Sequence, residues 1–160
     1  MGSGKSVAAK SLQNELGWPS FSTDSTIEQK EKRSISAIFK DSGEAYFRDL
    51  EHQVVKELAA RQGIIIDCGG GVVLNPENMK LLKVNGVVFY LKASAEVIYE
   101  RIKHQKHRPL LDADKPFEKI QALILGRQAL YQQADFIVDA NDKSVSVPVE
   151  EILKKIREKS

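Results

Sequence analysis

Met1-Gly2-Ser3-Gly4-Lys5-Ser6 opens the chain, and the fold follows from how these residues are read. Gly2 to Ser6, followed at once by a helical pattern, form the second half of G-x-x-x-x-G-K-[ST]. In that loop glycines turn successive backbone N–H groups toward phosphate oxygens. The helix start adds partial positive charge, Lys5 reaches the outer phosphates and the Ser6 hydroxyl suits Mg²⁺. The same letters also fit an N-myristoylation pattern, M-G-x-x-x-[ST], and an expression scar. One acyl chain anchors only marginally, and no polybasic second signal follows.

Downstream of the loop, strands and helices alternate. Ala8, Leu12 and Leu16 recur at four-residue steps and stop at Gly17, with Pro19 beyond it, so a helix is expected to end there. Gly63-Ile64-Ile65-Ile66-Asp67 and Val87-Val88-Phe89-Tyr90-Leu91 are short continuous apolar runs, the pattern of parallel strands buried on both faces. Phe21-Ser22-Thr23 and Phe136-Ile137-Val138 are weaker strands, each followed by an aspartate. Apolar stripes at Phe47, Leu50, Val54 and Leu58, at Ile98 and Ile102, and at Ile120, Leu123, Ile124 and Leu130 predict three further helices. The pattern is that of an α/β fold with a mostly parallel sheet and no linker, one domain over residues 1–160.

Composition narrows the function. The 160 residues carry 24 basic and 22 acidic side chains for a formal charge of +2, which leaves no basic face for nucleic acid. Cys68 is the single cysteine, so an internal disulfide is impossible and a reducing cytoplasm suits the chain. No apolar run approaches the roughly 20 residues of a membrane span. The expected protein is cytoplasmic, with no membrane or nucleic-acid partner.

Several residues stand where chemistry would need them. Asp24 follows a strand, where open α/β sheets bind ligands, but capping a helix is the more ordinary role for an aspartate there. Arg48 has Glu51 one helical turn on, either aiming it at an anion or making an ordinary surface pair. Asp67-Cys68-Gly69-Gly70-Gly71 puts three glycines after a buried strand, as close backbone approach or positive φ demands, and Asp67 has the form of a Walker B carboxylate. His104 to Leu111 combine cationic residues with Pro109, as a loop closing over phosphates would, and so would a solvated loop. His104 and His107 lack a third metal ligand at suitable spacing.

Together these pieces resemble the shikimate kinase family of P-loop, nucleoside-monophosphate-kinase-like enzymes. The likeness rests on MGSGKS, Asp24-x-x-Ile27-Glu28, Arg33-Ser34-Ile35 with Ile38-Phe39, Gly43-Glu44-x-x-Phe47-Arg48-x-x-Glu51, Gly69-Gly70-Gly71, Arg108-Pro109-Leu110-Leu111 and Arg127-x-x-x-Tyr131. It implies a three-layer α/β/α fold around a parallel sheet of order 2-3-1-4-5, a lid at about residues 103–116, and a monomer. It also implies transfer of the ATP γ-phosphoryl group to the 3-hydroxyl of shikimate, on the route to chorismate and the aromatic amino acids.

On that likeness Arg48 and Arg127 clamp the shikimate carboxylate, and Asp24 holds ring hydroxyls near the reacting oxygen. Gly69, Gly70 and Gly71 complete the pocket. Gly2, Ser3, Gly4, Lys5 and Ser6 hold ATP, together with the lid residue Arg108 and a weaker position at Lys143, while Ser6 ligates Mg²⁺. Lys5, Asp24 and Arg108 form the catalytic set. A gluconate kinase of the same fold and a non-catalytic P-loop module are the rival readings.

Two departures stand out. The family's second strand usually ends Asp-x-Asp, and here Ser22-Thr23-Asp24 stands instead, while Asp67 replaces a common serine. Either the magnesium carboxylate has moved to position 67, or Asp67 simply accepts hydrogen bonds from the phosphate loop. The strand that should precede the phosphate loop, strand 1 of the family order, is absent from this chain. The functional protein is expected to extend about ten residues upstream of Met1, one strand and the loop's start.

Overall fold

The computed structural model describes residues 2–104, 114–142, 144 and 146–159. Contacts divide the chain into two compact units, one of Ala9–Val88 and one of Met1–Ala8 with Phe89–Ser160. Chain order begins with helix α1 (Lys5–Leu16), strand β1 (Ser20–Ser22), α2 (Thr23–Glu31) and α3 (Ile35–Ala59). Strand β2 (Ile65–Asp67), a 3₁₀ turn at Val72–Leu74, α4 (Pro76–Asn85), strand β3 (Phe89–Lys92) and α5 (Ala95–Ile102) follow. The last elements are α6 (Pro116–Tyr131), strand β4 (Phe136–Asp139) and α7 (Ser146–Lys159). Gly17 adopts φ 68°, and its N–H donates to the Gln13 carbonyl. It thus ends α1 in the left-handed conformation that glycine takes without penalty.

In the Ala9–Val88 unit β1 and β2 pair in parallel, with Phe21 opposite Ile66 and Ser22 opposite Asp67. Ser22 ends the strand and caps α2, its hydroxyl accepting the Ser25 N–H at 3.3 Å. Asp24 therefore lies in the first turn of α2 and is not the cap, because the serine two residues earlier already fills that position. Ser34 caps α3 in the same way, accepting from the Ala37 N–H. The core of this unit gathers Ile27, Ile38, Phe47, Val54 and Leu58, with Leu50 and Ile66 packed against it. Phe47, Leu50, Val54 and Leu58 among them are the expected stripe, and Ile38 joins the core from the same helix. Gly43, at φ 82° and ψ 173°, breaks α3 into two helical runs, so the stripe begins just beyond a kink.

In the other unit β3 and β4 pair in parallel, with Phe89 opposite Phe136 and their rings stacked at 5.4 Å. Ser94 caps α5, and Ile98, Ile102, Ile120, Val138 and Ile152 are buried. Among the described residues the sheet pairs are β1 with β2 and β3 with β4. These match the 2-3 and 4-5 neighbours of the expected order.

No helix among the described residues is long and apolar enough to cross a membrane. Leu58 is 1% exposed at the centre of the first core, and burial of such a side chain contributes about 2 kcal/mol before any cavity penalty. Leu58→Ala is expected to lower stability by about 2–5 kcal/mol. Urea unfolding should show a lower midpoint with an unchanged slope.

Candidate active site

The glycine turn after β2 brings several polar groups of the Ala9–Val88 unit together. The Gly69 N–H donates to Thr23 Oγ1 at 2.9 Å, and the Thr23 side chain is fully buried. A Cβ on Gly69 would lie 2.6 Å from Asp24 Oδ1, and one on Gly71 would lie 2.7 Å from Arg48 Cζ. Neither glycine has positive φ. Close approach, rather than backbone strain, therefore excludes side chains here. One carboxylate and one guanidinium lie against a bare stretch of backbone.

Arg48 is held firmly. Its Nη1 donates to Glu51 Oε2 at 2.8 Å, and Nε and Nη2 both donate to Glu44 Oε1 at 3.3 Å. Its Cζ lies 5.1 Å from the Phe47 ring centroid, within the range of cation–π attraction. The Glu51 side chain is only 2% exposed, against 22% for Arg48 and 63% for Glu44. The Arg48–Glu51 pair is thus not an ordinary surface bridge. Its carboxylate is buried and its guanidinium faces the turn, a pre-aimed cation suited to bidentate contact with an anion.

The other unit contains the N-terminal loop. Gly2 has φ 64° and Gly4 φ 89°, conformations that only glycine adopts readily. The Ala8 N–H closes the first helical turn on the Gly4 carbonyl at 2.9 Å. Gly2 packs under α5 so tightly that a Cβ would lie 2.9 Å from Ile102 Cγ2. Lys5 is half-buried and Ser6 exposed in the first turn of α1, where the helix dipole favours anions.

Arg101, which sequence reading missed, donates to the Gly2 carbonyl at 3.4 Å and to the Ala140 and Asp142 carbonyls at 2.7 Å each. It ties the loop's start to the segment after β4. Its sequence signal was only a cation on a short helix. Arg127 lies on α6, four residues before Tyr131, whose ring stacks on Tyr90 at 4.9 Å. Burial, with Tyr131 close by, raises the Tyr90 phenol above its ordinary value. The structure thus gathers Asp24, Arg48, Gly69 and Gly71 at one turn, and sets Gly2–Ser6 beside Arg101. Arg108, Lys143 and most of the expected lid, residues 105–113, lie outside the described residues.

Among the described residues no three His, Cys, Asp or Glu side chains gather as a metal cage. The exposed Ser6 hydroxyl and the half-buried Asp67 at the end of β2 are oxygen donors. They are the type Mg²⁺ takes when phosphates and water complete its shell, so the residues present fit that ion.

A protein-family model described as shikimate kinase matches residues 1–158. A shikimate kinase of Thermodesulfovibrio yellowstonii is 41% identical over 96% of this chain and 89% of its own length. One of Dehalococcoides mccartyi is 41% identical over 99% of this chain and 90% of its own. Among solved structures, the shikimate kinase from Acinetobacter baumannii in complex with shikimate superposes with a TM-score of 0.93 at 32% identity, covering 100% of this chain and 90% of that one.

The two carboxylates around Arg48 make unequal contributions. Arg48→Met leaves Glu51 buried without its guanidinium and is expected to lower unfolding stability by about 3 kcal/mol. Glu44→Gln, at an exposed position, should change it by less than about 0.5 kcal/mol. Urea denaturation of the two variants checks the contrast.

Proposed function

The chain belongs to the shikimate kinase family and phosphorylates shikimate with ATP as co-substrate; from that premise we propose which of its residues perform each part of the reaction. The observation that carries this assignment is the glycine turn with a guanidinium against one end and a carboxylate against the other. Arg48, fixed by Glu51, takes the shikimate carboxylate, and Arg127 is its partner in the clamp. Asp24 holds the ring hydroxyls, with the 3-hydroxyl directed at the phosphoryl group. Gly69, Gly70 and Gly71 present backbone where a side chain would exclude the ring.

Phosphoryl transfer asks mainly for alignment and for positive charge around the moving group. The Gly2–Ser6 backbone cradles the ATP phosphates, and Lys5 neutralises charge on the outer ones. Arg108 and Lys143 complete the nucleotide side. Ser6 and Asp67 hold Mg²⁺, which when bound neutralises phosphate charge. The shikimate 3-oxygen bonds to the γ-phosphorus as the bridging bond to ADP breaks. The hydroxyl proton leaves along Asp24 or to water.

The residues from 1 to 160 act as one catalytic domain with a lid at about 103–116. On the family likeness the chain is a cytoplasmic monomer acting on small molecules with no membrane partner, and the near-balanced charge argues against a nucleic-acid partner.

Gly71→Ala displaces the Arg48 guanidinium and is expected to raise the KM for shikimate about tenfold, a loss of about 1.4 kcal/mol, with the KM for ATP little changed. A coupled assay that follows ADP reads both constants, and an unchanged shikimate KM would remove Arg48 from the pocket. Asp67→Asn is expected to shift the Mg²⁺ concentration for half-maximal ATP turnover upward by about tenfold. A Mg²⁺ titration that superposes on that of the unaltered enzyme would rule out a metal role for Asp67.

A further inference from the structure

Asn78 is a polar side chain with 0% exposure, in the first turn of α4. An apolar residue would ordinarily suit that depth better, so the amide needs partners to be tolerated. It has two. Its Nδ2 donates to the Val72 carbonyl at 3.1 Å, and its Oδ1 lies 2.7 Å from His52 Nδ1.

The Val72 carbonyl can only accept, which fixes the amide with nitrogen toward Val72 and oxygen toward His52. His52 Nδ1 must then carry the hydrogen. The result is a directed chain: imidazole N–H to amide oxygen, amide N–H to backbone carbonyl. It starts on α3, passes through α4 and ends on the residue directly after Gly71.

The position of that carbonyl gives the chain its importance. The Val72 N–H is itself bonded to the Gly69 carbonyl at 3.1 Å, closing the turn from within. The turn's entry is held by the Gly69 N–H on Thr23 Oγ1. Glycines have the widest backbone freedom of any residue, so three in succession need outside hydrogen bonds to hold one shape. Thr23 supplies one at the entry and Asn78 one at the exit. His52 also lies one helical turn after Arg48 on α3. The chain therefore fastens the turn to the same helix that presents the guanidinium.

We propose that His52 and Asn78 are positioning residues that set the conformation of the Gly69–Gly71 turn against Arg48, and through it the affinity for shikimate. The inference rests on the reading of that turn as the shikimate pocket. Neither side chain touches substrate or reacting atoms in this role. Shikimate binding should depend on the hydrogen at the Nδ1 position, while ATP binding and turnover should not.

Two substitutions at half-buried His52 separate this role from simple helix-to-helix packing. Asn places its amide nitrogen where imidazole has Nδ1, whereas Gln places its own nearer Nε2. His52→Gln is expected to raise the shikimate KM about five- to tenfold while kcat and the ATP KM stay within about twofold, and His52→Asn is expected to return the shikimate KM to within about twofold of the original. Thermal unfolding of each variant confirms that it is folded. Equal effects of Asn and Gln, parallel shifts in both KM values, or no shift at all would overturn the proposal. So would ¹⁵N spectra of the neutral His52 ring that place its hydrogen on Nε2.

Gly71→Ala, assayed alongside, separates the two levels of inference. If it raises the shikimate KM and His52→Gln does not, the pocket assignment stands and the positioning chain falls. If Gly71→Ala itself has no effect, the pocket assignment falls, and the positioning chain with it.

Discussion

A buried carboxylate controls the arrangement around Arg48. Glu51 is almost wholly removed from water, and a charge at that depth is tolerable only with a counter-charge and good hydrogen bonds. Arg48 supplies both, at i,i+3 on the same helix. The helix face that carries Phe47, Val54 and Leu58 is packed into the core, so α3 cannot rotate to relieve the pair. The guanidinium is held against the glycine turn, and Gly71 is bare because a side chain there would meet it. The placement of this guanidinium thus follows from a constraint of folding. An arginine placed this way is already ordered before any anion arrives, which reduces the entropic cost of binding.

The phosphate loop achieves order by a different route. Gly2 and Gly4 turn the chain with positive φ, and α1 starts immediately after, so backbone N–H groups rather than side chains present positive charge. Arg101 then secures the loop through main-chain carbonyls. An arginine donating to carbonyls is a brace whose targets have no side-chain identity. The arrangement around Arg48 therefore depends on ion pairs within one helix, and that of the N-terminal loop on backbone conformation. Substitutions in the two places should act through different physics.

Much of this was legible in the sequence. The continuous apolar runs became parallel strands, and Gly17 stopped α1 as its position predicted. The α3 stripe is the core, and the i,i+3 spacing of Arg48 and Glu51 gave a real contact. Boundaries were less secure. The strand expected at Phe21–Thr23 is Ser20–Ser22, which moves Asp24 into α2 and gives the cap to Ser22. A serine and an aspartate so close together both suit a helix start, and only the backbone's path decides between them.

The sequence by itself determined the repeating local structure and the residue types available to the chemistry, because periodicity, capping and i,i+3 pairing act within one or two turns of chain. It did not determine which glycine makes room for which charge, or that Asn78 reaches back to Val72 while holding His52. The contact between Arg101 and Gly2, separated by 99 positions, was equally invisible. These pairings depend on where α3, α4 and α5 return after long excursions. That return is set by how apolar faces pack and by the need to satisfy every buried polar group, and only the tertiary structure decides it.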